Sequence, residues 1–261
     1  MKYYVVADVH GFYTELITAL KERGFFEDKE PHKLVICGDL FDRGTEALQL
    51  QKFIVDLLDK DEVVLIRGNH EDLVLEYVRH LYRWMTPEVL DTHHYRNGTV
   101  DTTLQLTGMD LKEAYDFPEQ CYKKMQETPF FQRIIPSMVD YFETKRYVFT
   151  HGWIPCEAVG FRPSTYKYKK NWRAAGQNDW ERARWYNGMA AAQQGVIEPC
   201  KTIVCGHWNC SYGHAVIEGK GTERGDEADF SPYYGKGIIA IDGCTVCSKK
   251  VNCIVIEDTE K

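Results

Sequence analysis

Three short apolar runs, each followed at once by a cluster of Asp, His or Asn beside a glycine, constrain this chain more than any other feature. Tyr3 to Ala7 leads into Asp8-Val9-His10-Gly11. Leu34 to Cys37 leads into Gly38-Asp39-Leu40-Phe41-Asp42-Arg43-Gly44, and Val63 to Ile66 into Arg67-Gly68-Asn69-His70-Glu71. Short, continuously apolar runs of this kind read as buried strands. Between them lie apolar residues at helical spacing: Leu16, Ile17 and Leu20 in a helix over Tyr13 to Lys21, then Leu48, Phe53, Ile54, Leu57 and Leu58 in a helix that Thr45 can cap. A third helix is expected over Glu71 to Tyr82. Strands alternating with helices argue for an α/β architecture, in which polar groups at strand ends converge on one edge of a sheet.

The segment from about Arg83 to Arg133 breaks this alternation. It has few β-branched runs and several helical stretches, such as Leu111 to Met125, and reads as a helical insertion within one domain spanning residues 1–261. Strands are expected again at Val139 to Phe142, Arg146 to Thr150, Thr202 to Cys205, Gly237 to Ile241 and Val251 to Ile256. An aromatic, polar stretch from Tyr166 to Trp185 lies among them.

The clusters carry metal chemistry. An Asp and a His two residues apart after a strand point the same way and present an oxygen and an imidazole nitrogen. Asp39 has two carboxylate oxygens with which to bridge two ions, and Asn69 adds a neutral amide oxygen. His151 and His207 each follow a later strand and adjoin a glycine. A mixed oxygen and nitrogen set without thiolate suits Mn, Fe or Zn better than Ca or an iron–sulfur cluster.

These blocks resemble the signature of calcineurin-like metallophosphoesterases, in the branch that includes the phosphoprotein phosphatases: Gly-Asp-x-His-Gly, Gly-Asp-x-x-Asp-Arg-Gly, Gly-Asn-His-Glu, then two separate histidines. Ala7 replaces the first glycine. Phe149-Thr150-His151-Gly152 is similar to the fourth block, although His-Ala is frequent there, and Val204-Cys205-Gly206-His207 to the fifth. Ile239 to Gly243 is similar to the closing strand and turn, so the resemblance runs from about residue 3 to 256. It implies a four-layer αββα sandwich of two mixed β-sheets flanked by helices. It also implies one ion on Asp8, His10 and Asp39 and a second on Asp39, Asn69, His151 and His207, with Mn the leading metal. His70 would protonate the leaving group, Asp42 would orient His70, and Arg43 would hold phosphate oxygens. A second phosphate arginine is expected in Trp180-Glu181-Arg182-Ala183-Arg184, similar to a Trp-x-Arg element of bacterial and phage members; Arg182 is the first choice and Arg184 the reserve. The implied activity is hydrolysis of phosphomonoesters by a bacterial-type Ser/Thr protein phosphatase. Hydrolysis of diadenosine polyphosphates is the alternative, and a non-catalytic metal- or phosphate-binding scaffold a third reading.

Composition bounds the rest. The net charge is −7, a poor match for long nucleic acid and an argument against nuclease action. No run of eighteen apolar residues is present, so no membrane span is expected. Asp8 and His10 end the first apolar run too early for a signal-peptide core, and nine cysteines, an odd number, suit reduced thiols. The protein is therefore expected in the cytoplasm, acting on a phosphoprotein or a small phosphate ester or dinucleotide. Cys244-x-x-Cys247 is expected to be packing rather than a zinc or redox site. His93-His94, with no carboxylate motif near it in sequence, is expected at the surface, as is His214. Arg67 and Glu71 are expected to be structural ion-pair or loop-fixing residues, and the insertion to shape substrate access.

Overall fold

The computed structural model describes residues 1–86, 88–159 and 165–258; Pro87, inside the expected helical segment, lies outside them. Among the described residues, eleven strands form three sheets. They are β1 (Lys2–Val6), β2 (His32–Cys37), β3 (Val63–Ile66), β4 (Phe142–Glu143), β5 (Tyr147–Phe149), β6 (Glu157–Val159), β7 (Thr165–Lys167), β8 (Thr202–Cys205), β9 (Tyr233–Gly235), β10 (Ile238–Ala240) and β11 (Ile254–Glu257). One mixed sheet runs β11-β1-β2-β3, with β1, β2 and β3 parallel and β11 antiparallel at the edge. The other runs β4-β5-β8-β10-β9, parallel in its middle three strands and antiparallel at both edges. β6 and β7 make a separate hairpin.

The inner strands are mostly apolar because both faces of each sheet are covered there. Tyr4, Val6, Leu34, Ile36, Val63 and Leu65 face an outer core with the helices, while Tyr3, Val5, Ala7, Val35, Cys37 and Ile66 face the second sheet. Phe149, Val204 and Ile241 meet them from that sheet. Its other face carries Val148, Ile203, Cys205, Ile238 and Ala240 against Trp153, Trp172 and Trp180. Two mixed sheets are thus packed face to face with helices outside, as the resemblance implies.

Helices α1 (Tyr13–Glu22), α2 (Ala47–Leu58) and α3 (Asn69–Arg79) follow the first three strands. The cap of α2 differs from expectation. Glu46, not Thr45, stands at the N-cap, and the amide of Ala47 is satisfied from a distance by Gln105 Oε1 at 2.9 Å. The single stretch expected over Leu111 to Met125 is two helices, Leu111–Asp116 and Pro118–Glu127. Pro118 cannot continue the first helix but suits the opening turn of the second. Residues 81–137 are largely helical, and their Val100, Leu106, Met125, Phe130 and Ile134 join the outer core of the first sheet. Val139 was expected in a strand with Phe142. It makes only an isolated parallel bridge to Ile66, which stitches the end of β3 to the chain entering the second sheet.

Phe149 lies fully buried between the sheets, whereas Val255 on the edge strand is 40% exposed. Phe149→Ala is expected to remove about 3–5 kcal/mol of stability, and Val255→Ala no more than about 0.5 kcal/mol, read as the shift in urea midpoint at unchanged slope.

Candidate metal centre

The loops after β1, β2 and β3 are tied together by their backbones. Asp8 N donates to Gly38 O (3.2 Å), His10 N to Asp39 O (2.9 Å) and Gly11 N to Leu40 O (2.7 Å). The carboxylate of Glu71 accepts from Gly68 N (2.8 Å), Asp39 N (3.1 Å) and Leu40 N (2.9 Å), binding the second loop to the third. Burial, with Asp39 nearby, pushes its pKa up to about 7. Glu71 thus fixes a loop, and Arg67 forms an ion pair with Asp72 at 2.7 Å. The second sheet joins through His207 N, 2.9 Å from Asp8 Oδ2, and His151 Nδ1, 2.8 Å from Cys37 O; within that sheet Gly206 N donates to His151 O at 2.9 Å.

This convergence strains the backbone. Asp8, His10, Asp39, Asp42, Arg43 and His207 are six of the ten non-glycine residues with positive φ among those described. Each such conformation costs on the order of 1–3 kcal/mol and persists only where its surroundings impose it. Two glycines permit the approach of the carboxylates. A Cβ on Gly68 would lie 2.1 Å from Asp39 Oδ1, and one on Gly206 would lie 2.0 Å from Asp8 Oδ2.

Asp8, His10, Asp39, Asn69, His70 and His151 are all buried, with the part-buried His207 beside them. Ligand atoms of His10, Asp39 and His70 lie within 4.8 Å of one another, as do those of Asp39, His151 and His207, so Asp39 belongs to both groups. His151 Nε2 is 3.3 Å from Asp39 Oδ1 and 2.7 Å from Asn69 Oδ1; His10 Nε2 is 3.8 Å from Asp39 Oδ2.

The protonation chemistry of these groups fits cations. Burial holds the pKa values of His10, His151 and His207 down, that of His207 to about 3, so the rings are neutral. His10 Nδ1 faces Phe41 O at 3.0 Å and His151 Nδ1 faces Cys37 O at 2.8 Å. Each Nδ1 therefore keeps the ring's one proton, and each Nε2 keeps its lone pair, the usual arrangement of ligating imidazoles. His151 Nε2 and Asn69 Oδ1, two acceptors 2.7 Å apart, then lack a proton between them, and a metal ion satisfies both. Burial pushes the Asp8 carboxyl well up, as do Asp242 and Asp39. Burial pushes the Asp39 carboxyl up, and only positive charge among the four imidazoles around it would hold it below its ordinary range; with His10, His151 and His207 neutral, that charge falls to His70 and to bound cations. Asp242, read in the sequence only as part of a closing turn, is a third buried carboxylate here, with a pKa raised to about 6 by burial and by Asp39.

His70 stands apart from the other imidazoles. Its Nδ1 is 2.7 Å from Asp42 Oδ2, which also accepts from Thr99 Oγ1 at 3.0 Å, while Asp42 N donates to Thr102 Oγ1 at 2.9 Å. Burial pulls the His70 pKa down, but the carboxylates of Asp39 and Asp42 outweigh it and the net shift is upward. Thr99 and Thr102 lie on the helix Thr99–Thr107, inside the segment expected to be an insertion, and Gln105 of the same helix donates to Gly44 O at 2.9 Å. Nothing in the local sequence marks these threonines; only the packing of that helix against the second loop brings them in.

The arginines divide. Arg43 spans two rings, with Nη1 3.2 Å from His10 Nε2 and Nη2 3.1 Å from His70 Nε2. Arg182, the first choice for a second phosphate arginine, is exposed, and its guanidinium contacts Ala158 O at 3.4 Å. The structure does not bring it to the cluster. Two residues on, about 200° further around the helical turn, Arg184 is buried and its charge acts on His151. Its guanidinium is already matched by Asp72 at 3.1 Å and Asp140 at 2.8 Å.

Comparison with known proteins agrees with this geometry. The family model for calcineurin-like phosphoesterases matches residues 1–228. The chain is 22% identical over 204 residues, 69% of its length and 76% of the other's, to the asymmetrical bis(5'-nucleosyl)-tetraphosphatase PrpE of Halalkalibacterium halodurans. It is 24% identical over 166 residues, 61% of each chain, to the Bacillus subtilis protein of the same name. A solved cold-active protein tyrosine phosphatase superposes with a TM-score of 0.56 at 18% identity, covering 98% of this chain and 73% of that one, a likeness of fold. The chain belongs to the calcineurin-like phosphoesterase family, hydrolases of phosphate esters that use a dinuclear divalent metal centre.

Proposed function

We propose that this chain hydrolyses dinucleoside polyphosphates, and that an exposed tryptophan beside the metal centre receives a nucleobase. The observation that carries this reading is Trp185. Its ring is 48% exposed and stands 5.8 Å from the His207 ring. Trp208 lies 5.9 Å beyond His207 and Tyr212 6.2 Å beyond Trp208. Stacking of a base on such an aromatic is worth about 1–3 kcal/mol. The names of the relatives point the same way. The sequence alone puts phosphoproteins first; Trp185 changes the order, because a phosphoserine or phosphothreonine side chain has no ring to stack.

In this reading Asp8, His10, Asp39, Asn69, His151 and His207 hold the two ions. The set of three oxygen donors and three imidazoles suits Mn, with Fe or Zn as alternatives. Bound ions supply charge neutralisation and a water acidic enough to ionise near neutral pH. His10 Nε2 has one lone pair, so as an ion ligand it would give up its contact with Arg43 Nη1, and that end of the guanidinium would be free for phosphate oxygens. Its fork can hold two of them. His70 donates a proton from Nε2 to the leaving oxygen while Asp42 holds Nδ1. Thr99 and Thr102 keep Asp42 in place, so the helical segment positions the acid as well as bordering the site.

Four outcomes test this. Against a panel of diadenosine tetraphosphate, phosphoserine and phosphotyrosine peptides, the Mn-loaded enzyme is expected to show its highest kcat/KM on the dinucleotide. Trp185→Ala should raise that KM roughly 5–100-fold and leave phosphoserine turnover unchanged; a preference for phosphopeptides returns the assignment to the phosphoprotein reading. His70→Asn should keep its metal but lose about 10²–10⁴ in kcat on an alkyl phosphate, and wild-type rates there would remove His70 as the acid. Thr99→Val should lower kcat by roughly tenfold and shift the acid limb of the pH–rate profile without changing bound Mn.

A further inference from the structure

The His93-His94 pair does not lie at the surface as the sequence reading expects. His93 is exposed, but His94 is fully buried. The His94 ring packs against Trp84 at 4.7 Å, Tyr77 at 5.0 Å and His93 at 3.9 Å between centroids. The carboxylate that no local motif supplied comes from α3. Glu76 Oε2 is 2.6 Å from His94 Nε2, and Glu76 Oε1 accepts from Trp84 Nε1 at 3.2 Å, which fixes the carboxylate's orientation.

One ligand atom from each of Glu76, His93 and His94 falls within 4.8 Å of the others. The short contact between His94 and Glu76 is not aligned as a hydrogen bond: both ring nitrogens of His94 and Glu76 Oε2 are buried without a hydrogen-bond partner. Buried polar atoms left in that state are destabilising. A tetrahedral Zn²⁺ with bonds of about 2.0–2.1 Å sets its ligands about 3.3 Å apart, between the 2.6 Å contact and the 4.8 Å limit. Tenths of an ångström at Glu76, whose side chain is 43% exposed, and at the exposed His93 close the difference.

We propose that Glu76, His93 and His94 form a third metal site, separate from the dinuclear centre, that takes Zn²⁺ with a water as fourth ligand. Two imidazoles and one carboxylate are a zinc-type donor set. The site joins α3, whose first turn carries Asn69 and His70, to the helix His93–Asn97, which leads directly into the helix bearing Thr99 and Thr102. The ion fastens the helical segment to the element that presents the acid.

Protein stripped with chelator, rebuilt with excess Zn²⁺ and gel-filtered is counted by elemental analysis. Wild type is expected to retain one equivalent more than His93→Asn and one more than Glu76→Gln, both changes at accessible side chains that leave the circular dichroism unchanged. Zn²⁺ should also raise the Tm of Asp39→Asn, and should do so less when His93→Asn is added. Equal zinc in wild type and both variants overturns the proposal, as does a last equivalent lost on Cys247→Ser instead, which would place the ion on the thiols.

Discussion

The structure depends on two buried carboxylates, Asp8 and Asp39, held where the ends of two sheets meet. Each comes from a strand of the first sheet, and Asp8 is also gripped by the His207 amide of the second. With Asp242 nearby, negative groups are concentrated where water is excluded. Such an arrangement is unstable without compensating positive charge. The neutral rings of His10 and His151, each with Nδ1 committed to a backbone carbonyl, and the neutral ring of His207 point to metal ions as that charge. The left-handed backbone at six of these residues and the two glycines packed on carboxylate oxygens follow from the same requirement, since the groups converge only if the loops turn sharply.

The helical segment belongs to this account. Its helix Thr99–Thr107 supplies two threonines to Asp42, an acceptor to the first amide of α2 and a donor to Gly44. The second loop, which carries Asp39, Asp42 and Arg43, is therefore clamped from one side by Glu71 and from the other by this helix. An insertion that only shaped substrate access would be separable from turnover. Removing this one deprives Asp42 of both hydroxyl contacts, and hydrolysis even of a small ester should suffer.

Much of this was legible in the sequence because each candidate ligand sits one to three residues after an apolar run that can only be a buried strand. Order along the chain then gives position along a sheet edge. Residues whose role arises from contacts between distant elements were not legible. Thr99 and Thr102 read as ordinary helix residues, and Asp242 as a turn. His94 gained its burial and its carboxylate from α3, eighteen residues earlier. Trp185 read as part of an aromatic stretch, and its place beside His207 depends on how that stretch folds back. Arg182 and Arg184 show the same limit: the motif located the helix end, while helical rotation decided which arginine turns inward. The short strands β6, β7 and β9, three residues each, were missed because three residues establish no alternation.

The central claim is that Asp39 joins two metal positions. Electron paramagnetic resonance of the stripped protein reloaded with Mn²⁺ tests it most directly, because two ions sharing a bridging ligand give an exchange-coupled spectrum and isolated ions do not. Wild type is predicted to show the coupled signal. Asp39→Asn, folded by circular dichroism, is predicted to lose it and retain at most isolated Mn²⁺. A coupled signal of wild-type intensity in Asp39→Asn would contradict the account.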